Sequence, residues 1–187
     1  MTRLLLFISI ALISCTHTHY KNPHVLIETN YGDIEVELFP EKAPKTVAAF
    51  LSYIDSGYYN KGLFYRVIKT EDMGGNNYGL IQGGIWRTND QLKIPGIPHE
   101  STKQTGLSHT SGTISLARTT PGSASTEFFI CVGDQTQFDY GNGGDGQGFA
   151  AFGSVFKGMD IVRKIQDQPA NGESFIEKIS IDKIKRL

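Results

Sequence analysis

Apolar and polar residues alternate along two short runs near the start of the chain, His24 to Asn30 and Asp33 to Phe39. In the second run Ile34, Val36 and Leu38 alternate with Asp33, Glu35 and Glu37. A period of two gives each run one buried and one solvated face, and Tyr31-Gly32 between them predicts a β-hairpin. The spacing then changes. Val47, Phe50, Leu51 and Ile54 recur at helical period behind Glu41-Lys42-Ala43-Pro44, and Ser56-Gly57 follows as a stop. Pro44 suits a helix start, where its missing N–H would have no partner anyway. From Leu63 on, the apolar runs are short and set between glycine-rich turns: 63–68, 80–81, 113–117, 128–132 and 149–152. A second helix is predicted over 158–166, where Met159, Ile161, Val162 and Ile165 form a stripe. The last run, Ser174 to Ile184, returns to strand character with Ile176, Ile179, Ile181 and Ile184. Many short strands with two helices predict a closed or nearly closed antiparallel barrel whose open ends the helices cover.

Composition changes this picture little. The chain has 187 residues, 39% hydrophobic and 20% charged, which describes one globular domain. Net charge is −1 and no basic run occurs, so nothing marks a nucleic-acid partner. The 21 glycines fit the demand of a β-rich fold for tight turns.

The first residues have a different character. Arg3 precedes an apolar run from Leu4 to Ile13, too short for a membrane span of about 20 residues but suited to a secretory signal. Leu12-Ile13-Ser14-Cys15 resembles the bacterial lipobox, in which the signal is cut before a cysteine that becomes lipidated. The expected organisation is a signal peptide at 1–14, a lipidated tether at 15–23 and a domain at 24–187. Residues 16–23 are polar, and His17, His19 and His24 lack a carboxylate or cysteine cluster that would make them a metal site. With Cys15 carrying lipid, Cys131 has no intramolecular partner, and its place in Phe128-Phe129-Ile130-Cys131-Val132 predicts a buried, inert thiol.

Three segments carry the candidate chemistry: Phe64-Tyr65-Arg66-Val67-Ile68, Ile81-Gln82-Gly83-Gly84, and Ser125-Thr126-Glu127-Phe128-Phe129-Ile130 preceded by Ser115-Leu116-Ala117-Arg118. In this order, with Ala150-Ala151-Phe152-Gly153 downstream, they resemble the cyclophilin family from about His24 to Leu187. The likeness is to a bacterial branch with a longer connection, Lys69 to Tyr78, between the arginine and glutamine motifs. The resemblance implies a mainly β fold, a closed eight-stranded antiparallel β-barrel capped by two α-helices, with an outer groove that binds X-Pro segments. It implies peptidyl-prolyl cis-trans isomerase activity with no cofactor and no metal.

Position by position, the resemblance makes Arg66 the catalytic arginine and Gln82 the glutamine that bonds the substrate backbone. Phe129 becomes the floor of the proline pocket, with Leu80 in a position usually held by methionine. Ala117 and Arg118 match the stretch that pairs with the peptide, and Phe138 stands where many members have tryptophan. Tyr140 is expected along the same wall. Phe64 is expected to share a strand face with Arg66. Several residues depart from the family pattern. Glu127 replaces a glutamine, and a carboxylate near Arg66 can fix the guanidinium through two hydrogen bonds or dilute its positive field. Gly79 stands in place of an aromatic, Phe149 in place of a histidine in the pocket, and Tyr65 in place of the histidine beside the arginine.

The expected function is isomerisation of X-Pro bonds in exported proteins, assisting their folding. The chain would act as a monomer, held by lipid at Cys15 on a periplasmic or cell-surface membrane, with proline-containing polypeptides as partners. Two other readings stay open: a cyclophilin-like module or chaperone that holds proline segments with little turnover, and a lipid-anchored barrel for another ligand. The loop Asp139 to Gly148 does not match an EF-hand in spacing and is expected to be a turn-rich surface loop.

Overall fold

The computed structural model describes residues 20–71, 77–85 and 94–187. The predicted hairpin forms from β1 (His24–Thr29) and β2 (Gly32–Leu38), with Thr29 opposite Gly32 across the turn. Ile34, Val36 and Leu38 are fully enclosed as predicted, but Glu35, expected on the solvated face, is also buried, covered by its partners His24 and Lys157. The other strands are β3 (Gly62–Glu71), β4 (Asn77–Gly84), β5 (Thr113–Leu116), β6 (Phe128–Val132), β7 (Ala150–Lys157), β8 (Ala170–Asn171) and β9 (Ser174–Arg186). The sheet order is β1-β2-β7-β5-β6-β4-β3-β9, and the β1–β9 pairing closes it into an eight-stranded antiparallel barrel. β8 is a two-residue addition that pairs only with the start of β9. Two strands outrun their apolar cores: β3 continues to Glu71 and β4 starts at Asn77, so both ends of the expected 69–78 connection are strand.

Helix α1 (Pro44–Asp55) has proline in its first turn and buries Val47, Phe50, Leu51 and Ile54. Its free N–H groups are met from a distance. The Glu100 carboxylate accepts from the backbone N–H of Lys45 (3.1 Å) and of Thr46 (2.8 Å). Phe50 then packs inside the barrel, edge-on to Phe128 and tilted against Tyr59 and Phe152. A single helical turn, α2 (Thr102–Thr105), was not foreseen; a Ser101–Gln104 capping box starts it and Gly106 ends it. Helix α3 (Met159–Gln166) buries Val162 and Ile165 as its stripe predicts. The expectation of two capping helices holds with this one short addition.

Strand alternation divides the apolar residues into two clusters. Phe128, Ile130 and Val132 of β6 point into the barrel core, while Phe129 and Cys131 join Leu80 in a smaller outer cluster. That outer cluster, backed by Ile68, Ala117, Phe138 and Phe149, marks the functional face. Cys131 is a free, fully buried thiol whose burial raises its pKa far above the ordinary value, so it is unreactive as expected. His24 opens β1, at the bound expected for the domain. It lies buried in β1 with Nδ1 2.7 Å from the Glu35 carboxylate. Cys15 and Trp86 lie outside the described residues.

Candidate active site

A groove of about 610 Å³ runs along the outer face of β3, β4 and β6 and is flanked by the segment that follows β5, from Ala117 on. Its apolar floor is Phe129, only 2% exposed, with Leu80 beside it at 3%. Phe138 and Phe149 rise from the floor as two walls. Their rings meet Phe129 edge-on at 5.5 Å each and each other at 5.3 Å. This box of three aromatic rings suits a small apolar ring such as a proline side chain.

Below the floor lies a polar brace. The His109 ring is fully buried and stacks parallel to Phe129, 5.8 Å between centroids. Its Nδ1 sits 2.6 Å from Asp139 Oδ1 and its Nε2 sits 2.9 Å from Ser115 Oγ. Burial holds the His109 pKa below its ordinary value. The ring is therefore neutral, donating from Nδ1 to Asp139 and accepting the Ser115 hydroxyl at Nε2. Burial alone would raise Asp139, but hydrogen bonds from Ser108 and His109 outweigh it and keep the carboxyl ionised to lower pH.

Arg66 stands at the polar end of the groove because β3 is irregular there. A β-bulge between Phe64 and Arg66 interrupts the register with both β4 and β9. The extra residue breaks simple alternation, which is how bulges re-aim side chains beside active sites. As a result Tyr65 and Arg66 both line the groove. Phe64 does not: it is fully buried in the barrel, edge-on to Phe128 at 5.8 Å. The expectation that Phe64 and Arg66 share a face fails on the bulge.

Arg66 is tied at two points. Nη1 donates to Gln82 Oε1 at 2.7 Å, while Nε and Nη2 both donate to Glu173 Oε2 at 2.9 and 2.6 Å. Glu127, the acid expected beside Arg66, is instead two links away. Gln82 Nε2 donates to the Tyr65 hydroxyl (2.8 Å), which donates to Glu127 Oε2 (2.6 Å). Burial, with the Glu127 charge beside it, pushes the Tyr65 phenol well above its ordinary pKa, so it stays a neutral donor. The other Glu127 oxygen accepts the Ile85 N–H at 3.0 Å. This carboxylate occupies the space a Cβ on Gly84 would need, 2.6 Å away, and Gly84 also takes φ +150°. The second glycine of Gln-Gly-Gly thus makes room for Glu127.

The remaining expected residues divide. Ala117 lines the groove, its N–H bonded to the Glu127 carbonyl at 2.8 Å. Arg118 borders it too, but its side chain turns to the 139–148 loop. Nη1 and Nη2 meet the two Asp145 oxygens at 2.8 and 2.9 Å, and Nε donates to the Gly148 carbonyl at 3.0 Å. This fork draws the Asp145 pKa down to about 2. The guanidinium also lies 5.0 Å from the Phe149 ring centre. Tyr140 lies outside the groove, 39% exposed, with Lys103 over its ring. Its neighbours Phe138 and Phe149 face inward through a backbone bond between them, and Tyr140 at the loop's start faces out. Gly79 has no room for an aromatic: a Cβ there would stand 2.2 Å from the Ile68 carbonyl oxygen. Ile68 itself, with Thr119, Ser123 and Ser125, completes the groove. Ile68 and Ser125 stand in the three motifs without a role assigned to them there, while Thr119, Ser123 and Glu173 lie outside them. Among the described residues no group of acidic, histidine or cysteine side chains could hold a metal ion.

A family model described as "Cyclophilin type peptidyl-prolyl cis-trans isomerase/CLD" matches residues 24–186. The chain belongs to this family. Among its relatives, a peptidyl-prolyl cis-trans isomerase of Acinetobacter baylyi is 39% identical over 151 residues, covering 80% of this chain and 75% of that one. Peptidyl-prolyl cis-trans isomerase B of Escherichia coli is also 39% identical, over 144 residues, covering 76% of this chain and 83% of its own. A crystal structure of a Cryptosporidium parvum cyclophilin-type isomerase, in the presence of the dipeptide Ala-Pro, superposes with a TM-score of 0.69 at 25% identity. That match covers 86% of this chain and 96% of the other. The chain is therefore a cyclophilin-type peptidyl-prolyl cis-trans isomerase by family, on the barrel that the sequence resemblance implied.

Proposed function

We propose that this chain accelerates rotation about X-Pro bonds in exported proteins, with Arg66 as the catalytic donor and the Phe129 box holding the proline ring. The observation that carries the reading is a tethered guanidinium placed at the end of an apolar box sized for one ring. The uncatalysed amide barrier is about 18–20 kcal/mol. Rotation forms no bond to the enzyme, so the groove must bind the twisted amide better than either planar form. Twisting removes amide resonance and makes the prolyl nitrogen a better acceptor. Arg66 is always charged and rich in donors, and can bond that nitrogen or the turning carbonyl. Leu80, Phe129, Phe138 and Phe149 hold the ring while Gln82 and the chain at Ala117 grip the flanking backbone. One side of the bond then turns against a fixed other side. The Ala-Pro dipeptide used with the Cryptosporidium enzyme is consistent with such a ligand.

The leader supports the location. A signal at 1–14 and a lipid on Cys15 leave residues 16–23 as a short link to the barrel, whose last residues are already docked: Tyr20 stacks on His24 at 3.7 Å and Asn22 donates to Glu37 at 2.8 Å. From that position the isomerase meets newly exported chains as they fold. A second reading, a module that binds proline segments with little turnover, draws on the ion pair between Arg66 and Glu173, which offsets the guanidinium charge.

Two measurements test these readings. Cis-to-trans conversion of an X-Pro peptide should speed up with enzyme; binding without acceleration selects the module. Metabolic labelling with a palmitate analogue should mark the wild type and not Cys15→Ser, and absence of label on the wild type removes the anchor.

A further inference from the structure

The arginine side chain is long and flexible, and Arg66 is 38% exposed. Left alone it would sample many rotamers, yet a donor acts on a twisted amide only in a narrow geometry. A guanidinium carries five N–H donors. Glu173 takes two of them along one side and Gln82 takes one, so the rest are left for a bound amide. The two anchors come from different elements, the β8–β9 turn and β4, and together they fix the plane of the group.

Glu173 is itself held against β3. Its carbonyl accepts the N–H of Val67, the residue after Arg66, at 2.9 Å. Its neighbour Ser174 pairs with Arg66 in the β3–β9 register. Gly172 and Glu173 form the two-residue loop between Asn171 and Ser174, and Gly172 takes φ +57° at its first position, as a tight hairpin requires. The carboxylate is thus carried by a turn that is stitched to the strand bearing the arginine.

We infer that Glu173 is a positioning residue for amide rotation: it orients the Arg66 guanidinium toward the groove and acts on the isomerisation step through that group. The inference rests on the isomerase reading above. The same carboxylate also dilutes the positive field of Arg66, and damping alone would make its loss raise the rate. Positioning and damping give opposite signs.

The test uses the full chain and an Ala-Pro-containing peptide, with dissociation constant and on-enzyme exchange rate both read by NMR line shape. Glu173→Ala should slow on-enzyme exchange about tenfold, with affinity within about twofold. Glu173→Gln, whose amide oxygen can accept both N–H groups, should restore most of the rate. The Arg66 Nε–Hε signal should be ordered in the wild type and Glu173→Gln, and motionally averaged in Glu173→Ala. The Glu173 side chain is 59% exposed, so all three proteins should fold alike. An unchanged or higher rate in Glu173→Ala, or a Glu173→Gln rate as low as that of Glu173→Ala, overturns the inference. If the wild type shows no turnover, the isomerase reading fails instead, and the Nε–Hε signal still reports whether Glu173 orders Arg66.

Discussion

His109→Ala should cost both stability and peptide affinity, although the histidine never touches substrate. The wild-type ring is fully buried, stacked under Phe129 and edge-on to Phe138 at 5.9 Å. Removing it opens a cavity below the pocket floor, and truncating large buried side chains to alanine costs roughly 2–5 kcal/mol. It also strands the Ser115 hydroxyl, which is fully buried and bonded to His109 Nε2, at roughly 1–3 kcal/mol. Partial collapse and entry of water would recover some of this, so a loss of about 3–5 kcal/mol is expected. At roughly 2–4 °C per kcal/mol for a domain of this size, the melting point should fall by about 10 °C. Phe129, having lost its support, should sink or turn, and affinity for an Ala-Pro peptide should drop. Urea denaturation and peptide titration on the same two proteins measure both effects. A loss below about 1 kcal/mol with unchanged affinity would refute the brace.

The same histidine predicts the sign of a pH effect. Its pKa is depressed in the folded state, so the unfolded chain takes up the proton first as pH falls. The stability linked to His109 is complete above the ordinary value near 6.5 and is lost on acidification toward the folded value. Asp139, also depressed, adds a loss in the same direction at lower pH.

Further outcomes follow from the groove. Asp145→Asn should loosen the 139–148 loop through the Arg118 fork, raising hydrogen exchange there and weakening peptide binding more than on-enzyme rate; equal exchange in both proteins would contradict the clamp. Gly79→Ala should destabilise by at least about 1–3 kcal/mol, since it combines φ +134° with a clash against the Ile68 carbonyl, and a neutral result in denaturant titration would count against that geometry.

How far the sequence carried depends on the range of the signal. Alternation put Phe128 and Phe129 on opposite faces of β6, because the period of two acts residue by residue, and the family resemblance decided which of them faces the groove. The ordered motifs brought Gln82, Leu80, Phe138 and Phe149 to one groove with Arg66. The bulge at Phe64–Arg66 was not legible, since it comes from how β4 and β9 both pair with β3. That irregularity put Phe64 in the core and Tyr65 in the groove. Glu173 was missed for a related reason: it lies 107 residues from Arg66 and reaches it only when β9 closes beside β3. Glu127 was recognised as a departure, but Tyr65 and Gln82 stand between it and the arginine.

The claim that the groove catalyses rotation through Arg66 is tested most directly by one comparison. The cis-to-trans rate of a bound X-Pro peptide should be measured for the wild type and for Arg66→Ala, with the dissociation constant measured in parallel. Loss of a single transition-state donor typically costs about 10²–10³ in rate. The account predicts a fall of that order with affinity largely kept, because the Phe129 box is intact in the variant. A variant that rotates the bound peptide as fast as the wild type would contradict it.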